Sequence, residues 1–339
     1  MVSQGAFLDW VRTVTAGFEI ALTQFSRIFL HSQDLTYTRL RESTSYFGFS
    51  PRRCFHASLS RSIMLQFKQN VMEKIRSIPS TTSILSLLKE TYTTSGVSHS
   101  IFELSPEDDM RLLGGARVGA VSMWALDLLL TEYETRQADA AAEFFNSIAG
   151  TSSAGSLRGR IMERQVLKHF DSLKEPHIFE LRALVDSSTA QWTYPGPASR
   201  VTFQSQSFTT SLQSAIDAQN PLHLVPLDPN FPAVDSILYD PGKVLTGIQV
   251  TVRNEHPIAV SGLKRLQGWL KLKSPLAHLR PSTGGDHWRL IFVVPAATAA
   301  SFEQQAFERD TGGNEWAKKV DQYTLSIKED TLWGRTVTR

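Results

Sequence analysis

The sequence predicts an α/β protein: a mainly helical amino-terminal domain over residues 1–150, then a mixed-sheet domain over residues 151–330. Three observations carry that prediction. Apolar residues recur at helical spacing through the first 90 positions. Asn230 to Pro257 reads as a β-hairpin, two β-prone runs around Asp240-Pro241-Gly242. Arg289-Leu290-Ile291-Phe292-Val293-Val294-Pro295 is an apolar run of the kind found in strands buried on both faces. At 339 residues the chain is long enough for two modest domains, each with its own core.

In the amino-terminal part, Phe7, Trp10, Val11, Val14, Phe18, Ala21, Leu22 and Phe25 mark the packing face of one or two helices ending near residue 48. Tyr46 to Phe55 reads as a loop followed by a helix start. A second stripe, Ile63, Phe67, Val71, Ile75 and Ile78, predicts a helical stretch from Ser58 to about Glu90, with a new cap at Ser80-Thr81-Thr82-Ser83. Ser100–Leu104 and Arg117–Val121 are short strand candidates. Val121–Ile148, rich in Ala and Leu, is the longest predicted helix and stops at Gly150. The small, polar stretch from Ala149 to Ser156 marks the domain boundary.

Beyond it, Leu157–Leu173 is predicted helical, with Ile161, Val166, Leu167 and Phe170 inward and Glu163 off that stripe. Edge strands at Glu180–Leu184 and Ser199–Phe203 flank a turn at Gly196-Pro197. After the hairpin come a helix from Ala259 to about Lys273, the apolar strand, a helix near Ala299–Phe307, a helical turn at Glu315–Val320 and a strand at Gln322–Ile327. That succession argues for an α/β core with a mixed sheet.

Composition removes several function classes. The formal charge of +2 gives no global basic excess, so any case for nucleic acid rests on local charge. The single cysteine, Cys54, excludes an internal disulfide framework and a four-thiolate zinc site. No apolar run approaches the ~20 residues a membrane span needs, and no signal-peptide pattern opens the chain. The expectation is an intracellular protein, cytoplasmic or nuclear, with no signal peptide and no membrane contact. A phosphate-binding G-x-x-x-x-G-K-[ST] loop is missing, so ATP binding is not expected. The nearest string, Gly150 to Leu157, lacks the Lys and follows a helical pattern. There is no G-x-S-x-G, H-E-x-x-H or G-x-G-x-x-G motif either. Asp108-Asp109 suits a helix start, where acids are favoured by the dipole.

The hairpin carries the candidate chemistry. Ile248, Val250 and Val252 share one face of its second run, so Gln249, Thr251 and Arg253 share the other. Asp235 lies at the start of the first run. Such a strand pair can aim one carboxylate and one amide at a common point, a frequent construction in metal-dependent phosphodiester cleavage.

On Asp235, the turn, and Gln249-x-Thr251 in "QVTV…HP", the sequence resembles the nuclease-like domain of fungal Crinkler-type and retrotransposon-hot-spot-type proteins, within the PD-(D/E)XK restriction-endonuclease-like group. The resemblance implies a restriction-endonuclease-like core: a helix with a Glu, a strand with Asp, then a strand with (E/Q)-x-K. Glu163, in Arg158-Gly159-Arg160-Ile161-Met162-Glu163-Arg164, matches the helix Glu, Asp235 the metal-binding Asp, and Gln249 the Glu/Gln position. It implies Mg²⁺ held by Asp235, Gln249 and Glu163, DNA or RNA as partner, and an effector delivered to a host cell. Tyr46 to Phe55 resembles the end of the ATPase module upstream of that domain, making residues 1–150 a remnant of it.

Thr251 departs from the pattern, standing where the family has its Lys. Such a Lys orients the attacking water and stabilises transition-state charge. Lys264 on the next helix is the expected stand-in catalytic cation, with His256 a partial one. Lys243, Arg253, Lys264, Arg265, Lys271, Lys273 and Arg280 crowd one interval against Glu255 alone, with Trp269 among them. Lys243, Arg253, Arg265, Lys271 and Lys273 are accordingly the candidate nucleic-acid contacts. Two expectations follow: a Mg²⁺-dependent nuclease, or a catalytically inactive effector or interaction module with the same fold.

Overall fold

The computed structural model describes residues 37–48, 51–78, 100–106, 116–136, 140–149, 154–227, 231–308 and 313–333. The helices expected before residue 36, the cap at 80–83 and Asp108-Asp109 lie outside the described residues. The chain divides into two compact units, one of residues 1–105 and 119–135, the other of residues 106–118 and 136–339. The boundary drawn from composition at 149–156 falls inside the second unit.

The first unit contains α1 (Tyr37–Phe47), α2 (Pro51–Leu59) and α3 (Arg61–Arg76). Ser60 starts α3 by accepting the Ser62 amide at 3.2 Å, and Met64, Val71 and Ile75 bury one stripe at the expected spacing. The strands β1 (Phe102–Pro106) and β2 (Ala116–Ala120) form a separate two-stranded sheet. The long helix expected from Val121 to Ile148 is instead α4 (Met123–Arg136) and α5 (Ala140–Ser147). Within the first unit, Tyr46 meets Trp124 edge-on at 5.3 Å, and Phe47 meets Phe67 at 5.8 Å.

The second unit is α/β, built on a curled, mixed, eight-stranded sheet. Its elements after α5 are α6 (Gly155–Ser172), β3 (His177–Ala183), β4 (Thr189–Tyr194), β5 (Ser199–Phe203), α7 (Ser205–Ala218) and β6 (Leu222–Pro226). Then come β7 (Ser236–Tyr239), β8 (Thr246–Val250), α8 (Val260–Trp269), a 3-10 turn (Pro275–Leu279), β9 (Trp288–Val294), α9 (Ala296–Ala299), α10 (Gly313–Trp316), β10 (Val320–Ser326) and α11 (Glu329–Leu332). Strand order is β4-β3-β10-β9-β8-β7-β6-β5. β7 pairs antiparallel with both β6 and β8, and β9 runs parallel to both β8 and β10.

The two edge strands, β4 and β5, are consecutive in the chain and joined by a short link containing cis Gly196–Pro197. So short a link draws the sheet's edges together. The Tyr194 hydroxyl of β4 lies 3.4 Å from Nδ1 of His223 on β6. Helix α6 packs on the concave face. Its Phe170 stacks on Tyr194 at 4.9 Å and meets Phe179, Trp192 and His223 within about 6 Å. Strand register carries that face across the sheet through Leu325, Val293, Val250, Ile248 and Leu238. The opposite face, with Phe203, Leu224, Ile237, Trp288, Leu290 and Phe292, packs against Phe208 and Leu212 of α7 and Leu263 and Leu266 of α8. Ile291, Phe292, Val293 and Val294 are therefore fully buried, as their uninterrupted apolar run predicts.

Five elements of the second unit went unread in sequence: β4, α7, β6, the 3-10 turn and α11. Two further expectations are corrected. The strand expected at an edge at Glu180–Leu184 is β3, which pairs with both β4 and β10 because β4, unread in sequence, takes the edge. The helix predicted near Ala299–Phe307 stops at Ala299, because the Arg182 guanidinium takes the carbonyls of Ala299 and Phe302 at 2.7 and 2.5 Å.

Candidate functional site

The site grows from the place where β7 begins and β8 ends. Asp235 donates its backbone N–H to the Ile248 carbonyl at 2.9 Å. One rung further, its side chain replaces a backbone acceptor: Oδ2 receives the Val250 amide at 2.6 Å. The same oxygen accepts Nε2 of Gln249 at 2.8 Å. Both hydrogen bonds thus go to Oδ2, and Oδ1 is the oxygen left for another partner. Gln249 is 6 % exposed, and its amide nitrogen also approaches the Val250 carbonyl at 3.5 Å. Two acceptors on one side fix the nitrogen there and turn the amide oxygen the other way.

Glu163 enters from α6, half-buried, with Oε2 held by Arg160 at 3.1 Å one helical turn back. Its charge reaches Asp235. The Asp235 carboxyl is pushed up to about 8, first by removal from water and next by the negative charge of Glu163. The Val250 amide, the positive charge of Arg160 and the Gln249 amide act the other way without cancelling the rise. Of the three residues drawn from the sequence as one site, Gln249 and Asp235 are hydrogen-bonded at one end of the sheet, and Glu163 acts on Asp235 through its charge.

Thr251, in the place of the family's Lys, is buried at 4 % exposure, and its hydroxyl accepts the Arg253 amide at 3.1 Å, closing the turn that follows β8. That turn is pinned again by Gln305. Its Oε1 accepts the His256 amide at 2.5 Å, and its Nε2 donates to the carbonyls of Asn254 and Glu303. Gln322 holds Gln305 in place by exchanging side-chain hydrogen bonds with its backbone at 2.8 and 2.9 Å. His256 is shifted down, first by burial and then by the charge of Arg253, so its imidazole is neutral at pH 7.

Other predicted residues lie elsewhere. Lys264 is exposed on α8, where its charge helps hold Glu315 below the ordinary carboxylate range after the ion pair from Lys319. Glu315 precedes β10, at the opposite end of the parallel strands from Asp235. Lys243 pairs with Asp240 at 2.5 Å in the turn before β8, also at that far end. Arg265 lies over the rings of Phe231 and Trp269 at 5.1 and 5.2 Å. Lys271 and Lys273 are exposed beyond the carboxy terminus of α8. Of the basic interval, Arg253 alone follows directly on the acid site. Sequence reasoning missed Arg160, although its three-residue spacing from Glu163 on one helix was the available signal. It also missed Gln305 and Gln322, which no motif announces.

Carboxylate and amide oxygens are the donor types a hard divalent cation takes; Mg²⁺ usually takes one or two protein carboxylates and completes its shell with water and phosphate. Among the described residues no group of three or more His, Cys, Asp or Glu side chains is placed to hold a metal ion. No helix of the described residues is long and apolar enough to cross a membrane. No family model matches the chain, and neither curated proteins nor solved structures gave a match.

Proposed function

We propose that the second unit is a restriction-endonuclease-like nucleic-acid-binding domain of the PD-(D/E)XK kind, in which Asp235, Glu163 and Gln249 hold a divalent cation against a phosphodiester. The observation that carries this reading is the Asp235 carboxyl, hydrogen-bonded to Gln249 and pushed up to about 8, first by burial and next by repulsion from Glu163. A divalent cation removes that repulsion and takes the proton's place. Such a cation polarises the phosphodiester and lowers the pKa of bound water. Asp235 Oδ1 and a Glu163 oxygen would supply the charged donors, with the Gln249 amide nitrogen orienting Oδ2; a neutral donor from Gln249 would require its amide to turn over. The Thr251 hydroxyl, spent on the Arg253 amide, carries no charge to the reaction. The order of helix with Glu, strand start with Asp and strand end with Gln agrees with the reading.

A second reading has its own observation. With Thr251 buried in a turn and Lys264 distant, the site lacks the family's water-orienting Lys, which favours a relative that binds without turnover and acts as an effector or interaction module. Incubating the full chain with plasmid DNA and with RNA in Mg²⁺ or Mn²⁺, beside Asp235→Ala, separates the two. Metal-dependent cleavage lost in the variant supports the nuclease. Binding without cleavage supports the inactive relative, and neither binding nor cleavage contradicts both.

A further inference from the structure

We propose that His223 is an acid-sensitive latch where the sheet curls: protonation of its imidazole opens the contact of β4 with β6 and loosens the carboxy-terminal end of α6. The inference is independent of the acid site and of the function proposed for it. His223 stands on β6, 0 % exposed, beside Arg200 of β5 and Leu238 of β7 in the strand register. Its Nδ1 faces two oxygens, the Tyr194 hydroxyl of β4 at 3.4 Å and Asp171 Oδ1 of α6 at 3.9 Å. Phe170 completes the cluster, stacked on Tyr194 at 4.9 Å with its ring centre 6.2 Å from that of the imidazole. One ring thus joins β6 to a strand and a helix that come earlier in the chain. Nε2 is buried too, and among the described residues no group hydrogen-bonds to it.

The neutral ring suits this place and the charged one does not. Both oxygens lie on the Nδ1 side, which assigns the single proton there and leaves a lone pair at Nε2. A protonated ring carries an N–H at each nitrogen, and the second would be shut away from water without an acceptor. Three charged or titratable side chains face the ring: Asp171 from α6, Arg200 from β5 and Tyr194 from β4, whose hydroxyl burial pushes up and so keeps neutral. β7 adds only the uncharged Leu238. Burial holds His223 below the ordinary 6.5 despite the hydrogen bond and charge of Asp171, and the charge of Arg200 deepens the drop. Asp171 is itself engaged, its Oδ2 accepting Arg200 NH1 at 2.5 Å. The fold therefore prefers the neutral ring, so this contribution to stability is complete above pH ~6.5 and is lost as pH falls through the lower folded value. Asp235 acts in the opposite sense, losing stability as pH rises, so the two titrations are separable.

The test is hydrogen exchange read by mass spectrometry on the full chain at pH ~7.5 and pH ~5, corrected for the intrinsic pH dependence of exchange. Protection of β4, β6 and the last turn of α6 should fall about tenfold or more at the lower pH, the scale linkage sets when an opened ring regains the ordinary 6.5. β9, buried on both faces, should keep its protection. His223→Gln removes the titration and should show one level of protection in those three segments at both pH values. Segments that loosen equally in wild type and folded His223→Gln, or in neither, overturn the inference. If His223→Gln is poorly folded by circular dichroism, nuclear magnetic resonance of the wild type decides. The His223 ring, identified by its contacts with Phe170 and Tyr194, should gain its proton only as those contacts are lost. A ring that titrates at the ordinary value with both contacts intact overturns the inference as well.

Discussion

Burial, with the negative charge of Glu163 acting on it as well, makes Asp235 a side chain sensitive to pH. Its unfolded value is the ordinary 3.8 and its folded value about 8. The folded state therefore holds the proton more tightly. That contribution to stability is complete below pH ~4 and is lost as pH rises towards 8. Asp235→Asn removes the ionisation but keeps an acceptor for the Val250 amide, and Gln249 can turn to face it. In cation-free buffer the variant should match wild type below pH ~4 and melt several degrees higher at pH 8.5. Thermal unfolding across that range checks it, and parallel profiles for the two proteins would show that Asp235 is not held protonated. Arg160 and Thr251 differ in what they bring to the neighbourhood of Asp235. One brings charge without appearing in the strand motif, and the other occupies the motif while its hydroxyl serves only a turn.

Among the elements, α8 decides where Asp235 sits. A Cβ at Gly262 would lie 1.9 Å from the Pro232 carbonyl oxygen, so only glycine lets this helix press on the segment leading into β7. Gly268 on the same helix has nothing within 4 Å of the corresponding position. Gly262→Ala should cost on the order of 1–3 kcal/mol and weaken cation binding by displacing Pro232 to Asp235. Gly268→Ala should leave stability unchanged or raise it by up to about 1 kcal/mol. Denaturant unfolding of the pair reads both, and equal effects would mean that close approach at Gly262 is unimportant.

Legibility followed local pattern. β7, β8 and β9 were readable because Ile248 and Val250 alternate with polar residues and 290–294 is continuously apolar. α7 was not, since Phe208 and Leu212 are diluted by Ser and Thr in Ser205–Ala218. The short Leu222–Pro226 strand carries a buried His223 whose Tyr194 contact is long-range. At Ala300–Phe307 alanine propensity yielded to carbonyls captured by Arg182, a tertiary effect that no local window contains. The neighbourhood of Asp235 and Gln249 was readable from their places on two adjoining strands, whereas the Arg160–Glu163 ion pair, within one helix, was not sought.

At the scale of the molecule, the curled sheet explains how a helix residue can join two strand residues. Closing β4 towards β6 around Phe170 fixes α6 on the concave face, with Asp171 bridging to Arg200 at 2.5 Å at its carboxy-terminal end. Glu163 lies two turns earlier on that helix, and its charge reaches Asp235 beside the end of β8. The rest of the account depends on that convergence holding one cation. Crystals of the full chain soaked in Mn²⁺ and measured at the manganese absorption edge test it directly. The account predicts an anomalous peak about 2.0–2.3 Å from Asp235 Oδ1 and from a Glu163 carboxylate oxygen, absent in Asp235→Asn. An empty map between those two carboxylates, with manganese bound elsewhere or not at all, would contradict it.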